Sequence, residues 1–329
     1  MKSRIILDAD SLIATSAEEK LQLAIEGSKY SFKTGDAFDE DQLKEIEVLL
    51  FRSASKWLSK EMLAKMPNLR LVQAFSAGVD YIKFEDIPEQ ITVCGNFGAF
   101  SEPIAEHVFG YILAFAKDLF AHQHDLTNEH FIRHENHLFL KGKNITILGT
   151  GGIGKAVAGI ARCFQMKTCG ANSTGRRVTN FQQIITLSGV DAILPLSDVI
   201  VIALPLTVKT RGLINRDKLN QMKEDCILVN VARAAIVVEQ DLFEHLASHP
   251  KFRAAFDVWW KKWPKSKEEK YTQNYPFFNL PNFIGTPHIS GDVPESRGIA
   301  SMYAVENIIR YVKNRELKGV VDREDYLGL

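Results

Sequence analysis

An arginine can hold a carboxylate and polarise a carbonyl, and a histidine can pass a proton near neutral pH. In this sequence Arg233 ends the run Val229-Asn230-Val231-Ala232-Arg233, and His288 ends Gly285-Thr286-Pro287-His288. Each follows a β-type segment, at the end of a strand where open α/β sheets place their ligands. For either residue alone, a structural salt bridge or a surface histidine is the commoner explanation. Their joint placement favours function, because together they supply the cation and the acid/base that hydride transfer to a carbonyl needs.

A hydride carrier has a place to bind. Gly149-Thr150-Gly151-Gly152-Ile153-Gly154 follows the β-type run 145–148, and Ile153, Ala156, Val157, Ile160 and Ala161 then recur at helical spacing. In a dinucleotide-binding turn the first glycine permits the tight bend, the second lets backbone approach a pyrophosphate, and the third lets helix pack on strand. Gly149, Gly151, Gly152, Ile153 and Gly154 are therefore candidate cofactor-binding residues. The second strand, expected over 166–171, runs into Ala171-Asn172-Ser173-Thr174-Gly175-Arg176-Arg177. An NAD site normally has an acidic residue there for the ribose 2′-hydroxyl. Hydroxyls and arginines at Ser173, Thr174, Arg176 and Arg177 suit a 2′-phosphate instead, so NADP is expected, with NAD as the alternative. The bland reading is a solvated basic turn.

The elements that position these residues follow the rhythm of α/β proteins. At 329 residues the chain is long for one core, and two domains are expected. Forty basic and forty acidic residues leave no electrostatic footprint for nucleic acid or an acidic membrane surface, so a small molecule is the expected partner. The β-type runs 5–7, 48–51 and 71–75 alternate with a helical stretch at 17–26, as in a small parallel-sheet domain. Ser76, Ala77 and Gly78 open the loop after the last of these runs, a ligand position or an ordinary turn. Runs at 145–148, 166–171, 199–204, 227–231, 254–258 and 283–285 predict a six-strand doubly wound sheet, with crossover helices over 216–223 and 241–247. The final helix, near 295–313, is expected to return to the first domain. Residues 104–115 predict a buried helix with Ser101 as its cap, in which Glu106 and His107 read as hydrogen-bonded structural residues.

Five histidines, His122, His124, His130, His134 and His137, invite a metal site, and His130 with His134 would share a helical face. Without HExxH, a cysteine or a dense carboxylate cluster beside them, no metal is expected. Cys94, Cys163, Cys169 and Cys226 form no CxxC pair, which fits a reducing cytoplasm. Ile5-Ile6-Leu7 is stopped by Asp8, far short of a signal-peptide core, and no run approaches a membrane span. The polar stretch 261–274 predicts an exposed loop. Trp259, Trp260 and Trp263 read equally as pocket walls or as aromatic packing.

Over nearly its whole length the chain resembles the D-isomer-specific 2-hydroxyacid dehydrogenases. The resemblance rests on SAGVD at 76–80, GTGGIG at 149–154, LPLTVKT at 204–210, NVAR at 230–233 and TPHISG at 286–291. It implies a Rossmann-type doubly wound parallel sheet with a second, smaller flavodoxin-like α/β domain. The substrate domain would come from 1–98 and 291–329, the dinucleotide-binding domain from 99–290, and the protein would be a homodimer. It also implies that Arg233 binds a small 2-oxo or 2-hydroxy acid, that His288 is the acid/base, and that N–H groups near Ala77 and Gly78 hold the carboxylate. Pro205, Thr210, Val231 and Asp257 would join the cofactor site. Two positions depart from the family pattern: Ala234 follows the arginine where glycine is usual, and Lys262 or Trp263 stands where the catalytic glutamate is expected. Glu268 and Glu269 are the nearby carboxylates that could replace it. The expected activity is hydride exchange between NADP(H) and a 2-oxo acid; the alternative is a non-catalytic nucleotide-sensing protein on the same fold.

Overall fold

Short β-branched runs separated by amphipathic segments form two parallel sheets, each in its own unit. A computed structural model describes residues 4–35, 37–52, 56–134, 137–261, 264, 266 and 268–329. One unit is Met1–Phe100 with Val293–Leu329; the other is Ser101–Asp292. Both boundaries fall two residues beyond those expected from sequence.

The first unit runs β1 (Arg4–Asp8), α1 (Thr15–Ile25), β2 (Tyr30–Thr34), α2 (Glu40–Glu45), β3 (Ile46–Phe51), α3 (Lys60–Ala64), β4 (Leu71–Ala74) and β5 (Thr92–Cys94). Its five parallel strands lie in the order β2-β1-β3-β4-β5, the flavodoxin-like arrangement. The sequence showed three of these strands. The two it hid are edges: β2 mixes aromatic and polar residues and is nowhere fully buried, and β5 has only three residues.

The second unit comprises α4 (Ser101–Ala116), α5 (Leu119–Thr127), β6 (Asn144–Leu148), α6 (Gly152–Cys163), β7 (Lys167–Asn172), β8 (Gln183–Thr186), β9 (Val199–Ile202), α7 (Arg216–Gln221), β10 (Ile227–Asn230), α8 (Glu239–Ser248), β11 (Arg253–Phe256) and β12 (Phe283–Gly285). Its sheet has seven parallel strands rather than six, in the order β12-β11-β10-β9-β6-β7-β8. The addition is β8, an edge strand with two exposed and two half-buried residues, too short and too mixed to show a period. The inner strands β9 and β10 are buried at every position, as parallel strands covered on both faces must be. Ala105, Val108, Phe109 and Ile112 of α4 and Val157 and Ala161 of α6 pack with Ile145 and Ile147 of β6 in one core.

The last helix, α9 (Ser296–Val312), belongs to the first unit, where its Ala300, Ala304, Val305 and Ile308 share a core with Ala17, Leu21 and Ile25 of α1. Among the described residues no helix is long and apolar enough to cross a membrane.

Candidate active site

The strand order reverses between β6 and β9, and the glycine turn sits there. Gly149 adopts φ +105°, a conformation that residues with a side chain rarely take, and a Cβ on it would lie 2.4 Å from the Ala203 carbonyl oxygen beyond β9. A Cβ on Gly154 would lie 2.0 Å from the Gly149 oxygen, so only glycine lets α6 approach the turn this closely. Gly151 differs: a Cβ there would meet nothing within 4 Å. Gly151 caps α6 without a side-chain hydrogen bond, and the first turn, with Gly152 and Ile153, holds no acidic residue. The first N–H groups of α6 are thus left for an anion, which the helix dipole also favours.

Beyond β7 the chain folds back on the side chain of Asn172. Its Oδ1 accepts from the Thr174 N–H (3.1 Å) and the Gly175 N–H (2.6 Å), and its Nδ2 donates to Thr150 Oγ1 (3.0 Å) and to the Arg176 carbonyl (3.2 Å). Ser173, Thr174, Arg176 and Arg177 are exposed on this loop. Neither guanidinium has an acidic partner among the described residues. Sequence reasoning read Asn172 only as the strand's end. Its signal was an Asn three positions before a Gly, a side chain suited to bonding backbone just ahead of it.

Beyond β9, Pro205 is exposed, while Thr210 is 5% exposed and ties its loop together: its hydroxyl donates to the Pro205 carbonyl (2.7 Å) and accepts from the Thr207 N–H (2.8 Å). Beyond β10, Val231 is buried and Arg233 half-buried. Asn230, fully buried at the strand's end, shapes this turn, accepting from the Ala232 N–H (3.0 Å) and donating to the Arg233 carbonyl (3.0 Å).

The loop carrying His288 is anchored on Asp257, which has no exposed surface. Asp257 accepts from the Thr286 hydroxyl (2.5 Å), the Ile289 N–H (2.9 Å) and the Ser290 N–H (2.8 Å), bracketing His288 from both sides. The Thr286 carbonyl accepts from Trp259 Nε1 (2.9 Å) and from the His288 N–H (3.0 Å). His288 is exposed, at φ +57°, a strained backbone for a residue with a side chain.

Behind this loop, α4 contributes Tyr111 and His107, both in hydrogen-bond contact with Thr286 Oγ1. Thr286 gives its single proton to Asp257, so it must accept from both, which makes His107 the Nε2–H tautomer. Burial pushes His107 below its ordinary pKa, partly offset by the Asp257 carboxylate, and burial raises the Tyr111 phenol. His107 is thus a hydrogen-bonded structural residue; Glu106, expected to be the same, is exposed and has no hydrogen-bond partner among the described residues.

In the first unit, Ser76, Ala77 and Gly78 follow β4 at its C-terminal end. The Ser76 hydroxyl donates to the Gly78 carbonyl (2.8 Å) and meets Tyr81 Oη at 2.8 Å. The N–H groups of Ala77 and Gly78 have no acceptor among the described residues.

Lys262 and Trp263 lie outside the described residues. Glu268 and Glu269 are exposed, and a hydrogen bond from Ser266 holds the Glu268 carboxyl below the usual carboxylate range. Trp259 packs on Tyr271, Phe278 and Phe283, and Trp260 stacks between Phe256 and Phe277. His130 and His134 share no helical face, because α5 ends at Thr127. Instead His122 Nε2 lies 2.9 Å from His137 Nε2, and His134 bonds Asp125 (2.7 Å), a carboxylate the sequence reading had not joined to the group. Among the described residues no group of three or more histidine, cysteine or acidic side chains is arranged to hold a metal ion.

A Rossmann-type sheet with an uncapped glycine turn at its switch point, and polar residues at the ends of neighbouring strands, defines a dinucleotide-binding α/β protein. The family model for the D-isomer specific 2-hydroxyacid dehydrogenase NAD binding domain matches residues 109–290. The chain is 30% identical to a glyoxylate reductase of Aeropyrum pernix over 279 residues, covering 80% of this chain and 79% of that one. It is 27% identical to a D-3-phosphoglycerate dehydrogenase of Methanocaldococcus jannaschii, covering 93% of this chain but spanning only 57% of that relative's length. The solved structure of a D-isomer specific 2-hydroxyacid dehydrogenase family protein from Aeromonas salmonicida superimposes with a TM-score of 0.74 at 27% identity, covering 98% of this chain and 99% of that one. The chain belongs to the D-isomer specific 2-hydroxyacid dehydrogenases, oxidoreductases that use a nicotinamide dinucleotide.

Proposed function

We propose that the protein is a reductase that passes hydride from NADPH to a small 2-oxo acid. The observation that carries the cofactor choice is the loop after β7: Ser173, Thr174, Arg176 and Arg177 are exposed, and neither arginine is ion-paired among the described residues. Guanidinium groups and hydroxyls match a 2′-phosphate, and no carboxylate stands at the strand's end to repel one. Gly149, Gly151, Gly152, Ile153 and Gly154 would hold the pyrophosphate, the open space at Gly151 leaving room for its approach. Pro205, Thr210, Val231 and Asp257 would border the remainder, Thr210 and Asp257 by shaping loops. The bound nicotinamide supplies the hydride.

The protein's own groups do the rest. The Arg233 guanidinium binds the 2-oxo acid and polarises its carbonyl, and His288 gives the proton that completes the hydroxyl. The N–H groups of Ala77 and Gly78, beside Ser76, have no acceptor among the described residues and suit a carboxylate. Initial rates with NADPH and NADH on glyoxylate, hydroxypyruvate and pyruvate test this reading. Higher kcat/KM with NADH would refute the cofactor choice. Cofactor binding without turnover on any 2-oxo acid would favour the nucleotide-sensing alternative.

The protein is further proposed to act as a homodimer in the cytoplasm. No residue of α5 is buried, and Leu119, Phe120, Leu126, Phe131, Ile132 and Phe139 are between 52% and 81% exposed. A nine-residue helix with no buried face is marginal in water, and so large an apolar surface calls for a covering partner. Light scattering with size-exclusion chromatography should give twice the chain mass, and Phe120→Glu with Phe131→Glu should shift it to the monomer.

A further inference from the structure

The side chain that ends β7 has no hydrogen-bonding capacity left for a ligand. An amide offers two N–H donors and one oxygen with two lone pairs. Asn172 spends its donors on Thr150 Oγ1 and the Arg176 carbonyl, and its oxygen on the N–H groups of Thr174 and Gly175, with the Thr174 hydroxyl at 3.4 Å. It can neither hold a ribose 2′-hydroxyl as a carboxylate would nor repel a phosphate.

Two consequences follow from those bonds. The bonds to Thr174, Gly175 and Arg176 close a turn in which Gly175 takes φ +68°, so that Ser173, Thr174 and Arg176 leave the strand in one fixed conformation. The bond to Thr150 ties that turn to the glycine turn, setting the spacing between the loop's cations and hydroxyls and the N–H groups of α6. We propose that Asn172 is a positioning residue for cofactor choice: it holds the 173–177 loop as a preformed 2′-phosphate cradle at a set distance from the pyrophosphate site. The inference rests on the NADPH reading above and adds the side chain that enforces it. Preorganisation matters because a loop that must be ordered by the ligand gives up affinity to do so.

Three variants separate the contributions. Asn172→Ala removes turn and tether without adding charge. Thr150→Val keeps the side chain's shape and removes only the tether. Asn172→Asp keeps the acceptor bonds but loses both donations and sets a negative charge beside the phosphate. Dissociation constants for NADPH and NADH, from fluorescence titration without substrate, give the readout, with thermal unfolding as the check on folding. Asn172→Ala should weaken NADPH by about tenfold while leaving NADH within about twofold, and Thr150→Val should reproduce part of that loss. Asn172→Asp should reverse the preference. Equal weakening of both cofactors by Asn172→Ala would reduce Asn172 to a structural role, and no change in either would overturn the proposal outright. A wild-type protein that bound NADH as tightly as NADPH would overturn the underlying cofactor reading instead. A wild type that prefers NADPH, with Asn172→Ala leaving the ratio of the two dissociation constants unchanged, would overturn this inference alone.

Discussion

The backbone at and after His288 is pinned by hydrogen bonds from the His288, Ile289 and Ser290 N–H groups. Asp257 receives three hydrogen bonds from the residues around it, so the loop's geometry depends on one buried carboxylate. Asp257→Asn would turn an acceptor oxygen into an NH2 group facing a donor, and should cost about 2–3 kcal/mol of stability together with a fall in kcat. Urea denaturation and steady-state rates would check it. His288→Ala should abolish 2-oxo acid reduction while NADPH affinity stays within about twofold, since the proton donor is lost but the cofactor's phosphate contacts are not. Glu268 and Glu269 are exposed, and Glu268 is already engaged by Ser266. Glu268→Gln and Glu269→Gln should therefore leave the pH–rate profile unchanged. A shift of that profile in either variant would identify the carboxylate that replaces the family's glutamate.

At the scale of the element, the three spaced glycines of the β6–α6 turn are unlike one another, and their substitution should separate folding from binding. A methyl group on Gly154 would sit 2.0 Å from the Gly149 oxygen, so Gly154→Ala must push α6 off the turn, at a cost of about 3 kcal/mol or more in thermal or urea unfolding. A methyl group on Gly151 would meet nothing in the protein, so Gly151→Ala should unfold at the wild-type temperature and lose NADPH affinity. Equal affinity for NADPH in Gly151→Ala and wild type would remove Gly151 from the phosphate site. The sequence showed this turn well because a β-branched run, spaced glycines and helical periodicity agree over some twenty residues. It did not show β8, β2 or β5, because β2 and β8 are partly exposed edge strands that need no apolar period and β5 has only three residues.

At the scale of the whole molecule, acid should loosen the second unit through His245. This side chain is 8% exposed, stacked on His249 and edge-on to Phe252, and burial, with the neighbouring His249, lowers its pKa to about 4. The unfolded chain, with an ordinary histidine near 6.5, binds the proton first. Stability is thus fully present above pH 6.5 and is lost as pH falls toward 4, by up to about 3 kcal/mol. His245→Phe should narrow the difference in unfolding temperature between pH 7 and pH 4.5; an unchanged difference would exclude His245 as the source. The alternation of strands and helices, the glycine turn, and the placing of Arg233 and His288 at strand ends are legible from sequence, because each depends on neighbours within a few residues. Tertiary structure alone decided that Thr286, Asp257, Tyr111 and His107 form one network, and that Asn172 reaches back to Thr150. Those contacts join residues 22 to 179 positions apart, and nothing in local spacing records which side chains the sheet order will bring face to face.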